Sequence, residues 1–241
     1  MNDILAPNQI ADLAQITQIC EEMGADLVVI GATSLLILMG DLGHFTRDVD
    51  LTVALDFDGF ERLTTLLTAI GWTPVPKLER RWIAPRRTII DLLPAGAELR
   101  RSGSITWPVS RFKMILAGFD HVFKLAVHVC LPGGVTVRVA PPVVSTLLKI
   151  IAWVDDPYRR AKDLQDIRIV LRRYEQRSDR LFSDAAFDAA LPDFEFANAF
   201  LLGLDMRALA TGEDARFVGQ FLARLQADTE RGSLDDESDS A

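Results

Sequence analysis

Two aspartates stand two residues apart in the stretch Thr46-Arg47-Asp48-Val49-Asp50-Leu51-Thr52-Val53. On an extended strand, residues i and i+2 project to one face, so Asp48 and Asp50 share a side while Val49 and Leu51 turn into a core. Two like charges this close are costly unless a cation or protons compensate them. Mg²⁺ is hard, takes oxygen ligands and bridges to phosphates, so the pair suits a magnesium site. Taken alone, an Asp-x-Asp also occurs on solvated strand edges. A third carboxylate, Asp91, lies in the apolar run Thr88-Ile89-Ile90-Asp91-Leu92-Leu93, where burying it unpaired is expensive. If this run is a strand beside that of Asp48, the three carboxylates can hold two metal ions roughly 3.5–4 Å apart, and Asp91 can serve as base for an attacking hydroxyl. The alternative is that Asp91 marks a fraying strand end near Pro94.

Upstream, Leu27 to Ile30 leads into Gly31-Ala32-Thr33-Ser34 and a second apolar run, Leu35 to Met39. A glycine at a strand-to-helix turn allows close backbone approach, and the first N–H groups of a helix are free to meet a phosphate. Gly31, Thr33 and Ser34 are thus candidates to meet a phosphate; the alternative is a plain turn in which Thr33 or Ser34 caps its own helix. Farther along, Lys149 stands among Leu147, Leu148, Ile150 and Ile151, and Asp163 and Asp166 are spaced i, i+3. Those two aspartates share one side of a helix and flank its apolar stripe, which predicts partial burial and pairing, with Arg159, Arg160 and Lys162 as available partners. Lys149 could snorkel. His44, His121 and His128 form no metal-ligand spacing, and His128, in a strand-like run, reads as a core histidine. Trp72, Trp82, Trp107 and Trp153 read as core residues, although each could stack a base.

The elements that must position these groups follow from pattern. Ile10, Leu13, Ile16 and Ile19 recur at helical spacing over residues 8–23, and Gly24 ends the run. Strands are expected at 27–30, 48–55, 81–84 and 88–93, with a helix over 57–70 stopped by Gly71. Weaker strand signals lie at 122–129 and 135–139 around Pro132-Gly133-Gly134. After Pro141-Pro142 the character changes to helices over 143–154 and 159–174, then mostly helical sequence over 181–226. The fold class expected is α+β: a short mixed sheet with flanking helices, followed by a C-terminal helical region. The organisation expected is a catalytic unit over residues 1–140, a helical unit over 141–231 that completes the cleft, and an acidic disordered tail over 232–241.

The 241 residues, 49% hydrophobic and 25% charged, are ordinary globular material. Cys20 and Cys130 form no metal or redox pair, no signal peptide is apparent, and the apolar stretch from Leu27 to Gly40 is too short to span a bilayer. A cytoplasmic protein with no membrane partner is the expectation. The net charge of −8 conceals local reversals. Residues 77–101 carry seven basic against three acidic side chains, and residues 159–180 carry eight against four. Such stretches can attract phosphate, although solvated arginines account for them equally simply.

Gly31-Ala32-Thr33-Ser34 followed by Arg47-Asp48-Val49-Asp50-Leu51 resembles the glycine–serine and Asp-x-Asp motif of the DNA polymerase β-like nucleotidyltransferase superfamily. Lys149, then Arg160-Ala161-Lys162-Asp163-Leu164-Gln165-Asp166-Ile167, resembles the Lys…Arg-x-Lys-Asp-x-x-Asp motif of its abortive-infection (AbiEii-type) toxin branch. The chain departs from the pattern in having Ala32 where the family commonly has glycine or serine. The resemblance implies a polymerase β-like fold and a reaction that moves a nucleoside monophosphate from an NTP, such as ATP, to an acceptor hydroxyl with release of pyrophosphate. It implies two Mg²⁺ held by Asp48, Asp50 and Asp91, a triphosphate contact at Lys149, and an orienting role for Asp163. In the toxin branch it implies RNA, notably the tRNA 3′ end, as acceptor, and a cognate antitoxin as partner. A small-molecule acceptor such as an antibiotic, a protein acceptor, a nucleotide-binding module without transfer activity, and a metal-dependent phosphohydrolase are the rival readings.

Overall fold

The computed structural model describes residues 4–43, 46, 48–176 and 178–238, with side chains described as far as residue 227. His44, Arg47 and Arg177, and the end of the acidic tail from Asp239, lie outside the described residues. The chain opens with α1 (Pro7–Glu22). Proline in its first turn costs no hydrogen bond, and Ile10, Leu13, Ile16 and Cys20 form its buried stripe. Burial, with the charge of Glu21, pushes the Cys20 thiol up to about 12, so it is an inert core group. Strand β1 (Leu27–Ile30), buried throughout, runs directly into α2 (Gly31–Met39). Next come β2 (Asp48–Val53), α3 (Phe57–Ala69), β3 (Thr73–Pro74), β4 (Arg81–Ile83), β5 (Ile89–Pro94) and α4 (Ala97–Ser102). A hairpin of β6 (Ser104–Thr106) and β7 (Lys113–Ile115) precedes α5 (Phe119–Leu125), β8 (Val127–Leu131) and β9 (Val135–Val139). The rest is helical: α6 (Pro142–Asp155), α7 (Ala161–Arg173), α8 (Asp184–Phe187), α9 (Ala197–Leu209) and α10 (Glu213–Ser238).

Among the described residues, seven strands form one mixed sheet in the order β3-β4-β5-β2-β1-β9-β8. β2 is central, antiparallel to β1 and parallel to β5. The α+β class is therefore as expected, with the sheet flanked by helices. Three clusters fill the interior. The largest joins the sheet to α1, α3 and α5; a second lies among α6, α7, α9 and α10; a third joins α2 to α7 and α9 through Leu35, Leu42, Val170 and Leu202. α6 serves both sides: Val144 belongs to the sheet core, while Leu147, Ile150, Ile151, Trp153 and Val154 face the helices. Pro141 is its N-cap. All four tryptophans are buried. No helix among the described residues is long and apolar enough to cross a membrane.

Several expectations are corrected. The strand signal over 122–129 divides into α5, ending at Leu125, and β8, which starts at Val127 and continues to Leu131. The apolar residues Phe119 and Val122 are buried one helical turn apart, which a period-2 reading mistakes for a strand. His128 is exposed, not a core residue, because β8 is an edge strand with most of its side chains exposed. The turn Gly31–Ser34 is the first turn of α2 itself. α4 and the β6–β7 hairpin carry no sequence signal strong enough to announce them.

Candidate active site

β2 places its side chains as the alternation demands: Val49 and Leu51 are fully buried, while Asp48 and Asp50 retain partial exposure on the other face. The register with β5 sets Asp50 directly against Asp91, and the register of β4 with β5 sets Arg81 against the same Asp91. Cross-strand neighbours share a face. Three adjacent strands therefore carry Asp50, Asp91 and Arg81 in a row, with Asp48 beside them.

Arg81 is the dominant donor there. Its Nε donates to Asp91 Oδ1 at 2.7 Å, and its Nη2 donates to Asp91 Oδ2 at 3.0 Å and to Asp48 Oδ2 at 2.6 Å. Arg80 Nε adds a longer bond to Asp91 Oδ2 at 3.3 Å. Hydrogen bonding to Asp91 outweighs burial and, with the neighbouring carboxylates, holds the Arg81 guanidinium above its ordinary value, so it is permanently charged. Asp50 differs. Among the described residues it is the one carboxylate of the three with no ion pair. Burial, then the charges of Asp48 and Asp91, push it up to about 7, against the pull of Lys149 and Arg160. A partly buried carboxyl beside two others is an electrostatic demand for positive charge.

The turn into α2 meets Asp50 closely. Gly31 has φ +66, and a Cβ there would lie 2.3 Å from Asp50 Oδ2. Only glycine fits, both for backbone conformation and for space. Ala32 packs against the third cluster. Thr33 and Ser34 are fully buried, with their hydroxyls turned into the protein. Thr33 Oγ1 donates to the Asp48 carbonyl at 3.1 Å, which ties the start of α2 to the start of β2. Ser34 Oγ donates to the Gly31 carbonyl at 2.8 Å and lies 2.7 Å from Ser145 Oγ on α6. A serine has one O–H to give, so Ser145 is the donor in that second bond. Neither hydroxyl faces a ligand. The donors this turn can offer a phosphate are the backbone N–H groups of the first turn of α2, which have no partner within the helix.

The helical half brings further charge to bear on Asp50. Lys149, on α6, is buried, and its Nζ lies 2.8 Å from Asp163 Oδ1 and 2.6 Å from Asp166 Oδ2 on α7. It does not snorkel. Burial alone would pull its pKa down, but the two carboxylates outweigh burial and hold it raised. Asp163 and Asp166 are paired, as their place beside the apolar stripe predicts, with Lys149 as the chief partner where Arg159, Arg160 and Lys162 were expected. Of those three, Arg160 stands 3.9 Å from Asp163 Oδ2.

The structure thus brings Gly31, Asp48, Asp50 and Asp91 together, and sets Lys149 and Arg160 close enough to act on Asp50. Arg81 is the functional-face residue that the motif reading missed. A signal for it exists: strands at 81–84 and 88–93 pair symmetrically about residue 86, which puts residue 81 opposite residue 91. The donor set fits a divalent cation in chemistry, since it offers hard carboxylate oxygens, an Asp50 outside the ion pairs of Arg80 and Arg81, and a glycine that leaves the approach open. Yet among the described residues no group of three or more His, Cys, Asp or Glu side chains is assembled as a metal cage. The Arg81 guanidinium stands between Asp48 and Asp91 and holds both.

No protein-family model and no curated relative matches the chain. Among solved structures it is similar to the antibiotic-resistance factor ANT(2'')-Ia, at 12% identity and a TM-score of 0.45 over 98% of this chain and 100% of that one. It is similar to a nucleotidyltransferase-like protein from Paracoccidioides brasiliensis, at 16% identity and 0.46 over 68% and 76%. It is also similar to the lincosamide antibiotic adenylyltransferase LnuA, at 15% identity and 0.42 over 66% and 95%. These likenesses are distant, and the chemistry of the site rests on its own residues.

Proposed function

We propose that the protein is a nucleotidyltransferase that moves a nucleoside monophosphate from an NTP to an acceptor hydroxyl, with release of pyrophosphate. One observation carries this: Asp50 and Asp91 stand in register on adjacent parallel strands, with Asp48 beside them, where the glycine turn into α2 leaves Asp50 room. Asp48, Asp50 and Asp91 would hold Mg²⁺, which when bound supplies charge neutralisation and Lewis-acid polarisation at the phosphoryl group. The protein's own work is positioning and preorganised electrostatics. The first turn of α2 offers N–H groups to phosphate oxygens, with Gly31 permitting their approach. Lys149, anchored by Asp163 and Asp166, contributes a fixed positive charge opposite Asp50. Asp91 accepts three hydrogen bonds from Arg80 and Arg81, so it takes the proton of the acceptor hydroxyl only after those donors have moved.

An RNA acceptor is supported by the outer side of α7. There Arg168 and Arg172 are exposed and, with Gln165, Leu42, Gly43 and Ile169, line an open cavity of about 370 Å³. The test is incubation with each α-labelled NTP, with and without total RNA, at two salt concentrations. Mg²⁺-dependent transfer of label and release of pyrophosphate is expected, abolished in Asp48→Ala. Label should enter RNA, and RNA binding should weaken steeply with salt. Equal behaviour of the wild type and Asp48→Ala across the four NTPs would falsify the proposal; label transferred to a small molecule without RNA would move the acceptor to that class.

A further inference from the structure

Arg81 reaches farther than a strand-stabilising ion pair requires. β4 is already joined to β5 by its ladder, and pairing with Asp91, its direct neighbour, would satisfy such a role. The guanidinium instead crosses β5 to the next strand and places Nη2 2.6 Å from Asp48 Oδ2 while still 3.0 Å from Asp91 Oδ2. A single nitrogen is shared between carboxylates of two different strands. We infer that Arg81 is the resident counter-ion of the carboxylate cluster, a positioning residue whose guanidinium occupies the place a divalent cation needs, so that the arginine clamp and the bound cation exclude one another. This rests on the metal-site reading of Asp48, Asp50 and Asp91.

The exclusion is geometric and electrostatic. Magnesium takes carboxylate oxygens at about 2.0–2.1 Å in near-octahedral array. A charge-assisted bond of 2.6 Å from a guanidinium engages the same Asp48 oxygen and stands in the same gap. Charge balance makes the exchange feasible. Without Arg81 the face has three carboxylates and the half-exposed Arg80 at 3.3 Å from one of them; with a divalent cation in place the arginine is no longer required to compensate them. Displaced, it would turn to the anionic oxygens of an entering triphosphate, so cation and nucleotide should each strengthen the other's binding, by the reciprocity of linked sites.

The experiment reads metal binding without turnover. Mn²⁺ titrations by EPR, in the absence of nucleotide, are made on the wild type, Arg81→Gln and Arg81→Lys, with thermal melts to confirm folding. Removal of a charge competing at contact distance should tighten Mn²⁺ by roughly tenfold or more in Arg81→Gln. Arg81→Lys should fall between, because an ammonium cannot fork across two carboxylates. In the wild type, the Arg81 Nε–Hε NMR signal should shift on adding Mg²⁺ alone. Equal or weaker Mn²⁺ binding in Arg81→Gln overturns the inference, as does an unmoved Arg81 signal at saturating Mg²⁺, or no binding to either form. Should Arg81→Gln fail to fold, the wild-type NMR signal decides alone. Failure here is separable from failure of the transfer reaction. An enzyme that transfers label with an unmoved Arg81 signal loses only the clamp. A protein that exchanges Arg81 for Mg²⁺ but transfers nothing keeps the clamp and loses the nucleotidyltransferase reading.

Discussion

Asp50 shows how much the chemistry of one side chain depends on its neighbours. Its carboxyl is pushed from 3.8 to about 7 by burial first and by Asp48 and Asp91 second. A folded pKa above the unfolded one means that the folded state favours the neutral acid. The contribution to stability is fully present below about pH 4 and is lost as pH rises through 7. The difference corresponds to at most about 4 kcal/mol, and relaxation of the site reduces it. In EDTA, Asp50→Asn should therefore be more stable than wild type at pH 8 by on the order of 1–4 kcal/mol, with the gap closing towards pH 4. Melting curves across that range check this; parallel profiles for the two proteins would show that Asp50 is not strained. Mg²⁺ should raise the wild-type melting temperature at pH 8 and leave that of Asp50→Asn nearly unchanged. Asp48 and Asp50 were legible in sequence because a strand's two-residue period is local. Arg81 was legible only in part: strand pairing sets it opposite Asp91, but its bond to Asp48 lies across a second register.

At the scale of elements, the unit β1–α2 fixes the floor of the site. Gly31 is held at φ +66 with Asp50 against its Cα, while Thr33 and Ser34 secure the helix start to β2 and α6. Sequence pattern offered Gly31, Thr33 and Ser34 as a phosphate cradle, with a plain capped turn as the alternative. The structure divides the turn differently: glycine for approach, alanine for packing, and two hydroxyls for anchoring. The division follows from helix geometry. α2 begins at Gly31, so Ala32 faces the third cluster and Thr33 and Ser34 face the sheet and α6. For Gly31→Ala, the left-handed conformation alone should cost about 1–2 kcal/mol. The new methyl must also expel the Asp50 carboxyl from its position, so metal-dependent transfer should fall by roughly two orders of magnitude or more, as misplacement near reacting groups does. Parallel urea unfolding and label-transfer assays separate the two effects. Near wild-type activity in a folded Gly31→Ala would show that Asp50 need not stand where it does.

Across the whole molecule, the sheet and the helical half are held together at the site. α6 is the shared element, with Val144 in the sheet core, Ser145 bonded to Ser34 of α2 and Lys149 buried between Asp163 and Asp166. A buried charge set of this kind is sensitive to losing one member. Lys149→Met removes a buried ammonium that lies between two buried carboxylates and should cost about 3–5 kcal/mol. Lys149→Met combined with Asp163→Asn and Asp166→Asn should recover part of that loss in denaturant melts, because two buried negative charges are gone with the positive one. No recovery in the triple variant would mean that the lysine stabilises through its packing rather than its charge.

The sequence by itself determined the strand with its two carboxylates, the apolar strand with the third, the glycine at the strand-to-helix turn, and the α+β order of elements. All of these are written in local periodicity, and local periodicity is what a single chain displays. Only the tertiary structure decided which strands lie side by side, and hence that Asp50 meets Asp91, that Lys149 is bound to Asp163 and Asp166, and that Arg81 spans Asp91 and Asp48. Those relations are set by sheet register and by the docking of α6 on both cores. They join residues dozens of positions apart through burial that no local pattern records.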